Sequence, residues 1–250
     1  MSNTIKVLDH GFVTLRNLAG PTRRTQLYGP GCDSTGMPLV SDRPFDADDT
    51  DVANSARMSF EGQDQSRTYE VEMKLNRYLL ANKHMTPFES IEVWLEMKLP
   101  IFVARQFVRH RTAALNEVSG RYVQLPAEWY IPETVGGKAA NKKQGQEDNL
   151  SGEDQDNFKW ELNHHCASGY AKYEECIKNG VAPEHARMFL SLNHYTHWLW
   201  KQDLRNLMHF LALRDHSHAQ VEAQAYARAI TQLLEPHIPG LMQLYKELMK

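Results

Sequence analysis

No apolar run in this chain approaches the ~18 residues that would mark a transmembrane helix, and the mean hydropathy is -0.56. The N-terminal stretch MSNTIKVLDHG has no basic region followed by an apolar one. No secretory signal is therefore expected, and the chain reads as cytoplasmic with no membrane partner. Cysteine is scarce. The three residues Cys32, Cys166 and Cys176 are odd in number and show no CxxC spacing, which excludes a disulfide framework or a zinc ribbon. None of them sits in a setting that marks a nucleophile. Net positive charge is lacking as well: the formal balance is -3, which argues against a general nucleic-acid binder. Nor is there a GxGxxG run, so no Rossmann turn is available for a dinucleotide. The pair Gly31 and Gly36 has the spacing of a phosphate loop, but Met37 and Pro38 stand where Lys and Ser/Thr are required.

What remains is an ordinary globular composition, 42% hydrophobic and 24% charged over 250 residues, enough for one large core. Lys6 to Leu18 reads as two strands joined by an Asp9-His10-Gly11 turn. Residues 19–51 are irregular, with prolines, glycines and, between Asp42 and Asp51, five aspartates, and read as a surface loop or insertion. Tyr69 to Met85 has helical spacing, and Thr86-Pro87-Phe88-Glu89 has the pattern of a capping box. Ile91, Val93, Leu95, Met97 and Leu99 alternate with polar residues and Trp94, which predicts a strand ended by Pro100. The run Ile101 to His110 fits a helix in which Arg105 and Arg109 project on the same side. Residues 136–156 are almost wholly polar and read as an exposed mobile loop. Beyond it come helices from Phe158 and from Pro183, a strand from Tyr195 to Lys201, a helix from Leu204 to Arg214, and a helical pair broken near Pro236 and Pro239. Few strands and many helices, without regular alternation, predict an α+β fold: a single domain of helices around a small, mostly antiparallel sheet.

The chemistry concentrates between Arg105 and Arg121, where four arginines and one glutamate give a local charge of +3. Guanidiniums recognise phosphate bidentately and stay charged at any relevant pH. Ser119-Gly120 lets backbone amides approach an anion closely. The histidine groups are weaker signals. His164 and His165 point about 100° apart on a helix, and His194-x-x-His197 has no acidic third ligand nearby. Asp215-His216-x-His218 is the best metal candidate, yet polar and capping roles suit all three groups better, so no metal site is expected.

Arg109-His110-Arg111-x-x-Ala114-x-Asn116-x-x-Ser119-x-Arg121 closely resembles RHRxxSxNxxSxR, the signature of flavin-dependent thymidylate synthases. His84-x-Thr86-Pro87-Phe88-Glu89, the run Pro100 to Gln106, and Leu204-Arg205 to Arg214 followed by Ser217-His218-Ala219-Gln220 resemble further elements of that family, in order. The likeness covers about residues 5–18 and 52–240. It implies synthesis of dTMP from dUMP, with methylenetetrahydrofolate as one-carbon donor and NADPH as reductant through FAD. It also implies a homotetramer with sites between subunits and no cysteine nucleophile. By position, Gln106, Arg109, Glu117, Ser119, Gly120, Arg121, Arg187 and Arg214 are expected to bind dUMP, with Arg214 the catalytic residue against the uracil edge. Thr86, Arg109, His110, Arg111, Glu117, Asp203, Arg205 and His209 are expected to bind FAD. Ala114 replaces the signature's first serine, and Ser90 a histidine often found after the Thr-Pro-Phe-Glu element. These departures leave open a relative that makes a hydroxymethyl pyrimidine. The rival of another class is a non-catalytic nucleic-acid-binding protein, which accounts for the arginines but not for the other elements in order.

Overall fold

A computed structural model describes residues 2–21, 47–60, 67–138 and 146–250. The strands are β1 (Thr4–Val7), β2 (Gly11–Ala19), β3 (Glu92–Pro100), β4 (Ala114–Glu117), β5 (Gly136–Lys138), β6 (Gln146–Asn149) and β7 (Tyr195–Asp203). The helices are α1 (Asp51–Arg57), α2 (Tyr69–Ala81), α3 (Ile101–Phe107), α4 (Gly152–Lys178), α5 (Pro183–Ala186), α6 (Leu204–Arg214), α7 (Val221–Leu234) and α8 (Pro239–Leu248). Five strands form one antiparallel sheet in the order β1-β2-β3-β7-β4, and β5 and β6 pair separately. The α+β class read from the sequence is the class observed.

The alternation in β3 sorts its two faces. Val93, Leu95, Met97 and Leu99 are buried, as is Ile91 just before the strand, while Trp94, Glu96 and Lys98 are only half-buried on the other face. The buried face meets α6 and α7 across a cluster of rings: Phe210 lies 4.8 Å from Phe107 and 4.9 Å from Trp200, both edge-on. The opposite face carries ion pairs between strands, Arg16 with Glu96 and Lys201 with Glu92.

α6 follows directly from β7 because Asp203 caps it. Its backbone is extended, and its carboxylate accepts from Asn206 N at 2.9 Å. Leu204, Leu207, Met208 and Leu211 then fall on one buried face. At the far end of the chain, Asp49 accepts from Gly240 N and Leu241 N, both at 2.8 Å, and so caps α8 from a distant segment. Tyr69 donates to the same carboxylate, and burial with this contact pushes its hydroxyl up to about 12.

Several local expectations are corrected. The capping box at Thr86 does not form: Thr86–Ser90 is a short 3-10 helix with no side-chain cap, and Glu89 pairs with Arg205 instead. The following α3 stops at Phe107, so Arg109 lies beyond it and no longer shares a helical face with Arg105. Residues 136–156 are not one loop, since they include β5, β6 and the start of α4. α1 begins at Asp51, at the edge of the segment read as irregular, and β4 was not foreseen within the arginine segment. Residues 22–46, with Cys32 and the Gly31/Gly36 spacing, lie outside the described residues, as do 139–145.

Candidate active site

The residues singled out from the sequence fall into two groups at opposite ends of β4. The first is built where α3 ends against α6. Arg214 closes α6, and its Nε donates to His110 Nε2 at 3.2 Å while a terminal nitrogen donates to the Gln106 backbone oxygen, also at 3.2 Å. Accepting from a guanidinium requires a bare Nε2, hence a neutral ring. The surroundings enforce that state. Burial, then the charge of Arg214, then His209 hold His110 down to about 4. Phe210 fixes the ring edge-on at 4.9 Å, and His209 is 6.3 Å away. Burial also draws Arg214 below its ordinary value, although a guanidinium remains a cation at neutral pH. The Gln106 side chain donates to Gln220 on the α6–α7 connection. Arg205 lies on the same helix, paired with Glu89 beside Thr86, and Asp203 is committed to its cap.

The second group follows β4. Glu117 accepts from Thr196 on β7, and Val118 N donates to the His197 carbonyl at 2.8 Å. A turn begins at Ser119, whose carbonyl accepts from Tyr122 N at 3.0 Å and whose hydroxyl accepts from Arg121 N at 3.3 Å. Gly120 is buried in this turn. A Cβ there would stand 3.0 Å from Leu125 Cδ1 and 3.5 Å from Arg187 Cδ, so Arg187 packs directly over the turn. Arg121 pairs with Glu184 at 3.1 Å.

Ala114 lies opposite Lys201, and Glu117 opposite Trp198, in the antiparallel register. The strand alone spans roughly 10 Å. The first group lies toward its Ala114 end and the second beyond its Glu117 end. One protomer therefore brings Gln106, His110, His209 and Arg214 together, and separately Ser119, Gly120, Arg121 and Arg187.

Four of the candidate arginines lack a counter-ion. Among the described residues Arg109, Arg111, Arg187 and Arg214 form no ion pair, nor does Arg105, whereas Arg121 and Arg205 are held by Glu184 and Glu89. Guanidiniums without an internal counter-ion are available to an external anion. The metal candidates resolve otherwise. Among the described residues no three His, Cys, Asp or Glu side chains converge. Asp215 is held by Arg228 and Lys250, and His197 by Glu96 at 2.7 Å. Cys166 is buried and bonds with Ser191 at 3.3 Å. Thr196, which holds Glu117, carried no signal in the sequence, and the contact of Gln220 with Gln106 carried none either. No helix among the described residues is long and apolar enough to cross a membrane.

The fold is shared with a class of nucleotide methylases. The UMP/dUMP methylase PolB from Streptomyces cacaoi, solved with 5-Br dUMP, superposes with a TM-score of 0.79 over 98% of each chain at 23% identity, a likeness of fold. Residues 40–240 match the family described as thymidylate synthase complementing protein. The flavin-dependent thymidylate synthase of Gluconobacter oxydans is 40% identical over 97% of this chain and 72% of its own length. That of Thermus thermophilus is 37% identical over 98% of this chain and 78% of its own. The chain belongs to the flavin-dependent thymidylate synthase family, as its arginine motif suggested. Neither the hydroxymethyl reading nor the nucleic-acid-binding one is favoured by these relatives.

Proposed function

We propose that the chain methylates dUMP to dTMP, taking a methylene group from methylenetetrahydrofolate and reducing equivalents from NADPH through bound FAD. The observation that carries this reading is the set of guanidiniums without a counter-ion, Arg109, Arg111, Arg187 and Arg214, placed on the motif positions of a flavin-dependent family. The uridylate phosphate suits the Glu117 to Arg121 turn under Arg187, where backbone amides and a free guanidinium meet. The uracil suits Gln106, Arg109 and Arg214, whose cation stabilises negative charge as it grows on the ring.

The donor set also fits a flavin dinucleotide. Arg109 and Arg111 lack counter-ions, neutral His110 and exposed His209 stand beside them, Thr86, Arg205 and Asp203 flank the same region, and Glu117 is supplied from the other end of β4. When bound, FAD supplies the hydride chemistry, while the protein supplies orientation and charge. His110 in particular holds the Arg214 guanidinium by a bare nitrogen.

Because the two residue groups lie at opposite ends of β4, a complete site needs both ends of the strand, supplied by different copies in a homotetramer. Exposed apolar side chains support self-association: Tyr122 is 81% exposed, Met188 75% and Leu192 69%, and the 27-residue α4 buries only Cys166 and Tyr173. The decisive experiment supplies dUMP, methylenetetrahydrofolate and NADPH and analyses the product. A yellow preparation that forms dTMP supports the reading. A colourless one that gains no flavin absorbance on adding FAD overturns it.

A further inference from the structure

Arg214 is the last residue of α6, where helices fray because the final carbonyls lack intrahelical donors. The two acceptors that hold its guanidinium, His110 Nε2 and the Gln106 carbonyl, are both neutral and both at 3.2 Å, the long end of the hydrogen-bond range. Something else must fix the end of the helix. The next residue, Asp215, is the C-cap, with its backbone N on the Leu211 carbonyl at 2.9 Å. Its side chain is 3% exposed, yet both carboxylate oxygens are held by cations. Arg228 Nε donates to Oδ1 at 2.7 Å, and Lys250 Nζ to Oδ2.

The contacts continue into a closed circuit. Arg228 also donates to Gln224 Oε1 at 2.6 Å. Gln224 donates from its side chain to the Ala219 carbonyl at 2.8 Å and from its backbone to the Gln220 carbonyl at 3.0 Å. Gln220 accepts from Gln106, and Gln106 accepts from Arg214. The circuit thus starts at the buried carboxylate and returns to the two residues placed against uracil. We propose that Asp215 is a positioning residue for Arg214: its carboxylate, clamped by Arg228 and Lys250, fixes the end of α6 and the α6–α7 connection so that Arg214 and Gln106 hold one geometry. With both oxygens occupied, the carboxylate also stays out of contact with the adjacent Arg214, leaving that cation for the nucleotide. The inference rests on the role assigned to Arg214 in dTMP synthesis.

The test is a double-mutant cycle on the FAD-bound enzyme, with single-turnover rates at saturating dUMP, methylenetetrahydrofolate and NADPH. Asp215→Asn preserves shape and one acceptor. It is expected to retain FAD while forming dTMP about 10- to 100-fold more slowly, as for a misplaced reacting group. In an Arg214→Ala background the same substitution is expected to cost far less, because a positioning residue acts through the groups it positions and only Gln106 then remains. A merely structural loss would multiply instead. Arg228→Gln reaches the carboxylate from the solvent side, where the Arg228 side chain is 61% exposed. It is expected to show part of the same loss, and it decides the question if Asp215→Asn fails to fold. Parent-like rates in these variants, or losses that multiply with Arg214→Ala, overturn the positioning role alone. Normal turnover of Arg214→Ala overturns the reading of Arg214, and this inference with it.

Discussion

At the scale of single residues the site turns on a cation and a neutral ring. In the proposed function Arg214 faces the uracil where negative charge develops, so its interaction would strengthen toward the transition state and lower the barrier as well as tighten binding. Removing one such preorganised donor costs about 2.7 to 4 kcal/mol. Arg214→Ala is therefore expected to keep FAD and NADPH oxidation while forming dTMP at least about 100-fold more slowly at saturating dUMP. Arg214→Lys should recover only part, since a point charge cannot reproduce a planar fork. His110 gives a pH prediction. A histidine in the unfolded chain takes a proton near 6.5, but the folded one only near 4. Between those values the unfolded chain binds more protons, so stability is fully present above about 6.5 and falls as pH drops toward 4. The ring resonances of His110 in an NMR titration should stay those of a neutral imidazole at about pH 5. An imidazolium at that pH would break the Arg214 contact and sink the assignment.

At the scale of elements, α6 carries Arg205, His209 and Arg214 on a helix whose other face is fully buried. Leu207→Ala empties part of that face and should destabilise the protein by about 2 to 5 kcal/mol, measured by urea unfolding. Asp203→Ala removes the cap bond to Asn206 and should cost about 0.5 to 2 kcal/mol by the same measurement. An Asp203→Ala protein as stable as the parent would show that the cap contributes nothing. β3 and α6 were legible because alternation and 3.6-residue spacing each persist through the whole element. The Thr86 segment was not. Its capping pattern is local, whereas Arg205, 116 residues away, holds Glu89 in an ion pair. β4 was hidden for a similar reason: its four residues are all exposed and acquire strand structure only by pairing with β7 at the sheet edge.

At the scale of the whole molecule, the separation of the two residue groups makes a prediction about assembly. Arg187→Ala damages the end beyond Glu117, and Arg214→Ala the end near Ala114. Each homomeric variant should be nearly inactive. Subunits of the two co-assembled should regain measurable dTMP synthesis, because some sites then draw an intact group from each copy. Light scattering should find the active species at the mass of a tetramer of 28.8 kDa chains. An active monomer, or no recovery in verified mixed assemblies, would show that each copy works alone.

The sequence by itself determined the class of fold, most of the core elements and the family to which the arginine motif belongs. Hydrophobic period and the ordered arginine motif are both written locally along the chain. Only tertiary structure decided what those side chains touch. His110 is a neutral acceptor because Phe210, His209 and Arg214 surround it. Asp215 is clamped between two cations because α7 and the C-terminal residue bring Arg228 and Lys250 to it. Gln106 and Gly120, fourteen positions apart, fall into different groups because β4 runs between them. Burial and charge pairing arise among residues distant in sequence, so no local pattern encodes them.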